Sequence, residues 1–218
     1  FPSSRRRSKL SSPTSDQWRQ WRGEGVLPLP GAIGGQSLRD LQHAFDTAAA
    51  PARPEWLEAV AAGTRPAAFF DIPTPLAADP MFLDLVDHRG WYGHLQAFTE
   101  GRVTFIKTQF RTVPPSPLSY VGWHFDVPRS NPLHLKVQIY LDDVSRDEGA
   151  FAYVPGSHLQ DSGPYPLVAQ LDAMPGHRVC EGDAGTAILF NSYGLHTSMV
   201  NRSRRTRRSR RRWMTGAT

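Results

Sequence analysis

Hydrophobic and polar positions follow two different rhythms on either side of residue 102. Before it, apolar residues recur at helical spacing. Ser15 or Asp16 caps a short helix that carries Trp18 and Trp21 and ends at Gly23 or Gly25. A brief strand is predicted at 26–29. Ser37 caps a second helix with Leu38, Leu41 and Phe45 on one face, and Pro54 stands in the first turn of a third with Trp56, Leu57 and Val60. An extended piece at 69–72 and a helix opened by Asp79-Pro80 complete the first half. From Arg102 onward the pattern becomes short alternating runs at 103–113, 133–141, 150–154, 186–190 and 195–200. Pro114-Pro115, Asp142-Asp143, Pro155-Gly156 and Gly182-Asp183 supply turns between them. Helices followed by strands predict an α+β fold with a sandwich or barrel of strands as its working core.

The chain has 218 residues, enough for one domain with its own hydrophobic core. It opens on Phe1 rather than Met, as a fragment or processed form would. No apolar run is long enough for a transmembrane helix, and the basic first ten residues lack the apolar stretch of a secretory signal. A single cysteine, Cys180, excludes a disulfide framework or a cysteine-rich zinc site within one chain and points to a cytoplasmic setting. Any metal must then be held by His, Asp or Glu. Charge is segregated. Residues 1–10 and 201–218 hold twelve of the 25 Lys and Arg and none of the 20 Asp and Glu, which leaves 11–200 at a net charge of about −7. The expected organisation is a disordered basic arm at 1–13, one domain at 14–208 with its strand core from about 102, and a basic tail at 209–218.

Trp123-His124-Phe125-Asp126 is the most informative stretch. In extended backbone, residues two apart point to the same side, so His124 and Asp126 aim an imidazole and a carboxylate at one point. A second imidazole from a distant strand would complete a 2-His-1-carboxylate face, the set suited to non-haem Fe(II) with open positions. A surface His beside a surface Asp has the same spacing. Among the other histidines, His196 stands out. It follows the apolar run 186–190, opens another extended segment, and precedes Arg207 by eleven residues.

Four pieces in order resemble the phytanoyl-CoA dioxygenase family of Fe(II)/2-oxoglutarate oxygenases. They are Gly122-Trp123-His124-Phe125-Asp126; then Leu141-Asp142-Asp143 with Glu148-Gly149-Ala150-Phe151 and Val154-Pro155-Gly156-Ser157-His158; then Gly182-Asp183 before an apolar strand; and last His196-Thr197-Ser198 with Asn201, Ser203 and Arg207. The resemblance covers most of 16–208. It implies a double-stranded β-helix, or jelly-roll, core with helices packed outside. It implies iron held by His124, Asp126 and His196, with 2-oxoglutarate and O2 as co-substrates. Arg207 would fork onto the far carboxylate of 2-oxoglutarate, with Ser198 and Gln109 beside the co-substrate. Arg111, on the strand face of Gln109, would line the substrate side. Trp123 would shield the iron, reach the substrate or face outward into sheet packing, and His158 belongs to its turn. The carboxylate at Asp126 argues against a halogenase, whose small residue there leaves room for halide. The implied reaction is hydroxylation of a small molecule with release of succinate and CO2.

The sequence departs from the family after His196. The run 201–212 holds eight Arg in twelve positions, where the family's last strand alternates with apolar residues. A strand that ends early, an altered chain end and an acid-binding segment all fit this run. Other readings on the same residues are an iron-free jelly-roll binding module, a zinc hydrolase, and an anion or nucleic-acid binder acting through the arginines. The last is disfavoured by the acidic body and the lack of a stacking platform.

Overall fold

The computed structural model describes residues 10–161 and 163–216. Residues 1–9 of the expected arm lie outside the described residues. Leu10 and Ser11, placed in that arm by sequence, instead lie against Gly93, where an added Cβ would come within 2.3 Å of the Ser11 carbonyl.

Helix α1 (Ser15–Glu24) starts one residue earlier than a Ser15 cap predicts and two earlier than an Asp16 cap. Thr14 is the cap, taking the Gln17 N–H at 3.2 Å while Gln17 Oε1 takes the Thr14 N–H at 2.9 Å. This reciprocal pair satisfies two of the orphan donors at a helix start. Strand β1 (Val26–Leu29) matches the expected run. Helix α2 (Gly35–Ala49) begins two residues before Ser37, and α3 (Arg53–Ala61) carries Pro54 in its first turn. Strand β2 (Phe70–Asp71), α4 (Pro75–Ala78) and α5 (Pro80–Asp84) follow. Helix α6 (Tyr92–Phe98) escaped the sequence reading. The strand half holds β3 (Val103–Val113), β4 (His134–Tyr140), β5 (Phe151–Tyr153), β6 (Arg178–Cys180), β7 (Ala187–Asn191), β8 (His196–Ser198) and β9 (Arg207–Gly216).

These strands form two antiparallel sheets. The larger has the order β1-β7-β4-β9-β3-β2, and the smaller the order β6-β5-β8. Alternation along β4 explains the layering. Leu135, Val137 and Ile139 pack with Phe45, Phe82, Leu95 and Phe110 under the helices. The intervening His134, Lys136, Gln138 and Tyr140 turn to the other face, where Tyr140 joins Val26, Phe151, Tyr153 and Phe190 between the sheets. Both faces of β4 are therefore buried, yet one is largely polar. Close ring contacts fix the helical layer, with Phe82 and Phe110 centroids 4.2 Å apart. Each such ring contributes roughly 1.5–3 kcal/mol by leaving water.

The expected basic tail from 209 is corrected by the ladder. Backbone from Arg207 to Gly216 is a strand, paired with β3 from Val113↔Arg207 to Val103↔Gly216 and with β4 from Tyr140↔Ser209 to His134↔Thr215. The same register makes the backbone of 207–212 part of the sheet rather than a free tail. Strand pairing on both sides satisfies main-chain groups whatever the side chains are.

The turn into β9 is built by side chains the sequence motifs already contained. Asn201 Nδ2 donates to the Val113 and Arg205 carbonyls at 2.7 and 2.8 Å, and its Oδ1 takes the Ser203 hydroxyl at 2.7 Å. Arg205 reaches Glu148, and Asp142 takes the Arg208 backbone N–H at 2.7 Å together with its guanidinium at 2.6 Å. Asp142→Ala removes the anchor at the head of β9. It is expected to lower unfolding free energy by about 2 kcal/mol, measured by urea denaturation.

Candidate metal centre

The segment bearing His124 and Asp126 is stitched to β8 and the turn before it by main-chain bonds. His124 and His196 form an antiparallel bridge, with His124 N–H to His196 C=O at 3.1 Å and the reverse bond at 2.8 Å. Asp126 N–H donates to the Ser192 carbonyl at 2.9 Å. This pairing brings His124 and His196, 72 positions apart, to one place. His124, Asp126 and His196 each offer a ligand atom, and these atoms lie within 4.8 Å of one another. The imidazole centroids are 4.4 Å apart.

The donor chemistry suits a cation. His124 Nδ1 sits 2.9 Å from the Gly122 carbonyl, and His196 Nδ1 2.9 Å from the Gly194 carbonyl. A carbonyl only accepts, so each Nδ1 carries the proton and each Nε2 presents a lone pair. Metal-binding histidines are held in this way, the backbone fixing tautomer and ring orientation. Two Nε2 lone pairs and a carboxylate therefore converge, and His196 Nε2 lies 3.1 Å from Asp126 Oδ2. Like-signed electron density at that distance calls for positive charge. The three residues fit a divalent ion of the non-haem type.

Burial sharpens this. His196 is fully enclosed, its ring 4.8 Å from Phe190 and 5.8 Å from Phe151. Burial, ahead of all else, lowers its pKa and keeps the ring neutral. Burial pushes the Asp126 carboxyl the other way, while the Lys136 ammonium beside it lowers the carboxyl's pKa and favours the anion.

Arg207 and Ser198, the expected co-substrate residues, meet. His196 and Ser198 point to the same side of β8, because residues two apart share a strand face. Arg207 Nη2 donates to Ser198 Oγ at 3.4 Å, and Ser198 Oγ–H donates to the Gly149 carbonyl at 2.9 Å. The guanidinium is only 2% exposed and stands 5.6 Å from the Tyr140 ring centre.

Three expected residues make contacts away from the triad. Arg111 forks onto Asp71 at 2.6 and 2.6 Å and lies against the Phe69 and Tyr120 rings, which also touch each other edge-on. Gln109 Nε2 donates to the same carboxylate at 2.8 Å. Cross-strand pairing of Asp71 with Arg111 brings these groups together, so the polar ends of both β3 residues meet at Asp71. Trp123 follows from alternation. With His124 turned to the centre, its neighbour faces away, packing against Ala152, Met174 and Met199 and donating Nε1–H to the Leu171 carbonyl at 3.0 Å. It anchors the segment after Val154 instead of lining the centre. His158 lies in its turn as expected, with Nε2 3.2 Å from the Arg22 carbonyl.

Sequence reasoning missed Lys136. Its Nζ is 2.5 Å from Asp126 Oδ2, and its side chain is 1% exposed. The available signal was a cation between Leu135 and Val137 in the middle of an apolar strand, in step with His134 and Gln138.

The fold is shared with solved structures. HygX from Streptomyces hygroscopicus, with nickel and 2-oxoglutarate bound, superposes with a TM-score of 0.71 at 17% identity over 94% of this chain and 88% of that one. Its form with nickel, 2-oxoglutarate and hygromycin B gives 0.70 at 15% identity over 94% and 88%. The non-haem α-ketoglutarate-dependent carbocyclase SnoK from nogalamycin biosynthesis gives 0.71 at 17% identity over 96% and 88%. No curated protein matches the chain by sequence at a significant level. A family match spans residues 21–209, from Trp21 of α1 through both histidines of the triad to the head of β9, and by it the chain belongs to the phytanoyl-CoA dioxygenase (PhyH) family.

Proposed function

We propose that the protein is a non-haem Fe(II)- and 2-oxoglutarate-dependent oxygenase that hydroxylates a small molecule, releasing succinate and CO2, in the cytoplasm. On this reading the two sheets are the walls of a jelly roll and 14–216 is one oxygenase domain. The observation that carries it is the convergence of two neutral Nε2 atoms and the Asp126 carboxylate within 4.8 Å, on a strand that also presents Ser198 to a buried arginine. A zinc hydrolase would use the same three ligands but gives Arg207 no task.

His124, Asp126 and His196 would hold the iron, which when bound supplies the activation of O2 coupled to decarboxylation of 2-oxoglutarate. The chain's own residues do the rest. The Gly122 and Gly194 carbonyls hold both rings in the ligating tautomer. Arg207 and Ser198 bind the far carboxylate of the co-substrate, a planar fork matched to a planar anion. Phe151, Tyr153 and Phe190 around His196 keep water from its ring. HygX holding hygromycin B supports a small-molecule substrate, and among the described residues no helix is long and apolar enough to cross a membrane.

Succinate release from 2-oxoglutarate with Fe(II) and O2, screened across a small-molecule library, tests this. The wild type is expected to release succinate with at least one compound, and His124→Ala to fall to background. Anaerobic Fe(II) with 2-oxoglutarate should give a weak visible charge-transfer band. No band and no release would leave a binding module with a vestigial triad.

A further inference from the structure

We infer that Lys136 is a positioning residue that makes cation binding at the triad depend on an anionic co-substrate. This rests on the oxygenase reading and deepens it. Lys136 reaches from the centre of β4 to Asp126 Oδ2 at 2.5 Å, the same oxygen that His196 Nε2 faces at 3.1 Å. Both side chains of the ion pair are nearly closed to solvent, at 1% and 7% exposure. A lysine this buried keeps its charge only beside an opposite one, and Asp126 supplies it.

The consequence is competition for one carboxylate. Two neutral imidazoles, a carboxylate and an ammonium together carry no net charge. A divalent cation entering this set meets a fixed positive charge attached to its own ligand, in an interior where charges are weakly screened. Lys136 therefore weakens binding of the bare cation. A 2-oxo acid brings a carboxylate to the same place, and its negative charge offsets the ammonium. The cation and the co-substrate then bind better together than apart, and linkage makes the help reciprocal. A neutral residue at 136 frees the carboxylate for the cation and removes most of the need for the anion.

Calorimetric titration of the full chain with nickel(II), with and without 2-oxoglutarate, tests this without turnover. In the wild type, 2-oxoglutarate is expected to tighten nickel binding by about tenfold or more. In Lys136→Met nickel alone binds more tightly, and the gain from 2-oxoglutarate shrinks to about threefold or less by the same linkage. Lys136→Arg keeps the charge and the gain. Lys136→Gln serves as a second neutral variant if methionine impairs folding, checked by circular dichroism. A wild type with no gain from 2-oxoglutarate, or a neutral variant with the full gain, overturns the role of Lys136 while leaving the oxygenase reading standing. Loss of the gain in Lys136→Arg as well assigns the effect to packing and also overturns it. A wild type that binds no nickel at all overturns both readings.

Discussion

Asp126→Asn is expected to strip the centre of its metal and, in the same step, to destabilise the metal-free protein. Asp126 supplies the only negative charge in the triad, and a neutral amide is a poor ligand for a hard divalent ion. Changes in the shell around metal ligands already cost about 10–100-fold in affinity, so loss of this ligand should exceed ~100-fold in nickel titration and abolish succinate release. The stability effect has a different origin. Lys136 Nζ, 2.5 Å from the carboxylate and buried, loses its counter-charge. Breaking one half of a buried ion pair costs about 3–5 kcal/mol, readable as a lower urea midpoint at unchanged slope. Asp126→Asn combined with Lys136→Met removes both charges, and it should recover most of that stability while staying unable to bind metal. Recovery of one property without the other separates the carboxylate's two roles.

How much of this was legible in the sequence depended on whether a side chain's role follows from its neighbours in the chain. Strand β4 announces itself by apolar alternation and β7 by an unbroken apolar run, and His124 and Asp126 share a face because extended backbone repeats every two residues. Trp123 could have been placed by the same rule, since the residue next to an inward-facing His124 faces the other way. Asp71 could not. It lies 38 and 40 residues from Gln109 and Arg111, and only the β2–β3 pairing shows that it takes the polar groups of both. Strand β9 was hidden for a different reason. Its arginines break the usual pattern, but its ladder to β3 and β4 is made of backbone bonds, to which side-chain composition is a weak guide when partners on both sides impose the strand. Lys136 was hidden because a cation in an apolar strand looks like an exception until the opposite wall, carrying Asp126, is folded against it.

Arg207→Met is expected to raise the KM for 2-oxoglutarate by more than about 30-fold while leaving nickel affinity in the absence of 2-oxoglutarate within about threefold of wild type. The magnitude follows from removing one partner of a buried, hydrogen-bonded charge pair, at 2–5 kcal/mol. Methionine keeps most of the apolar stem and its packing beside Tyr140, so the change tests charge and the fork rather than bulk. Arg207→Lys restores the charge without the paired N–H groups and should fall between the two. Ser198→Ala gives a smaller increase, because Ser198 accepts from Arg207 at 3.4 Å and donates to Gly149 at 2.9 Å, which steadies the guanidinium without replacing it. A rise in KM with metal affinity intact places Arg207 at the co-substrate. An equal loss of both would mean that the buried guanidinium holds the strands in register and reaches the centre only through them.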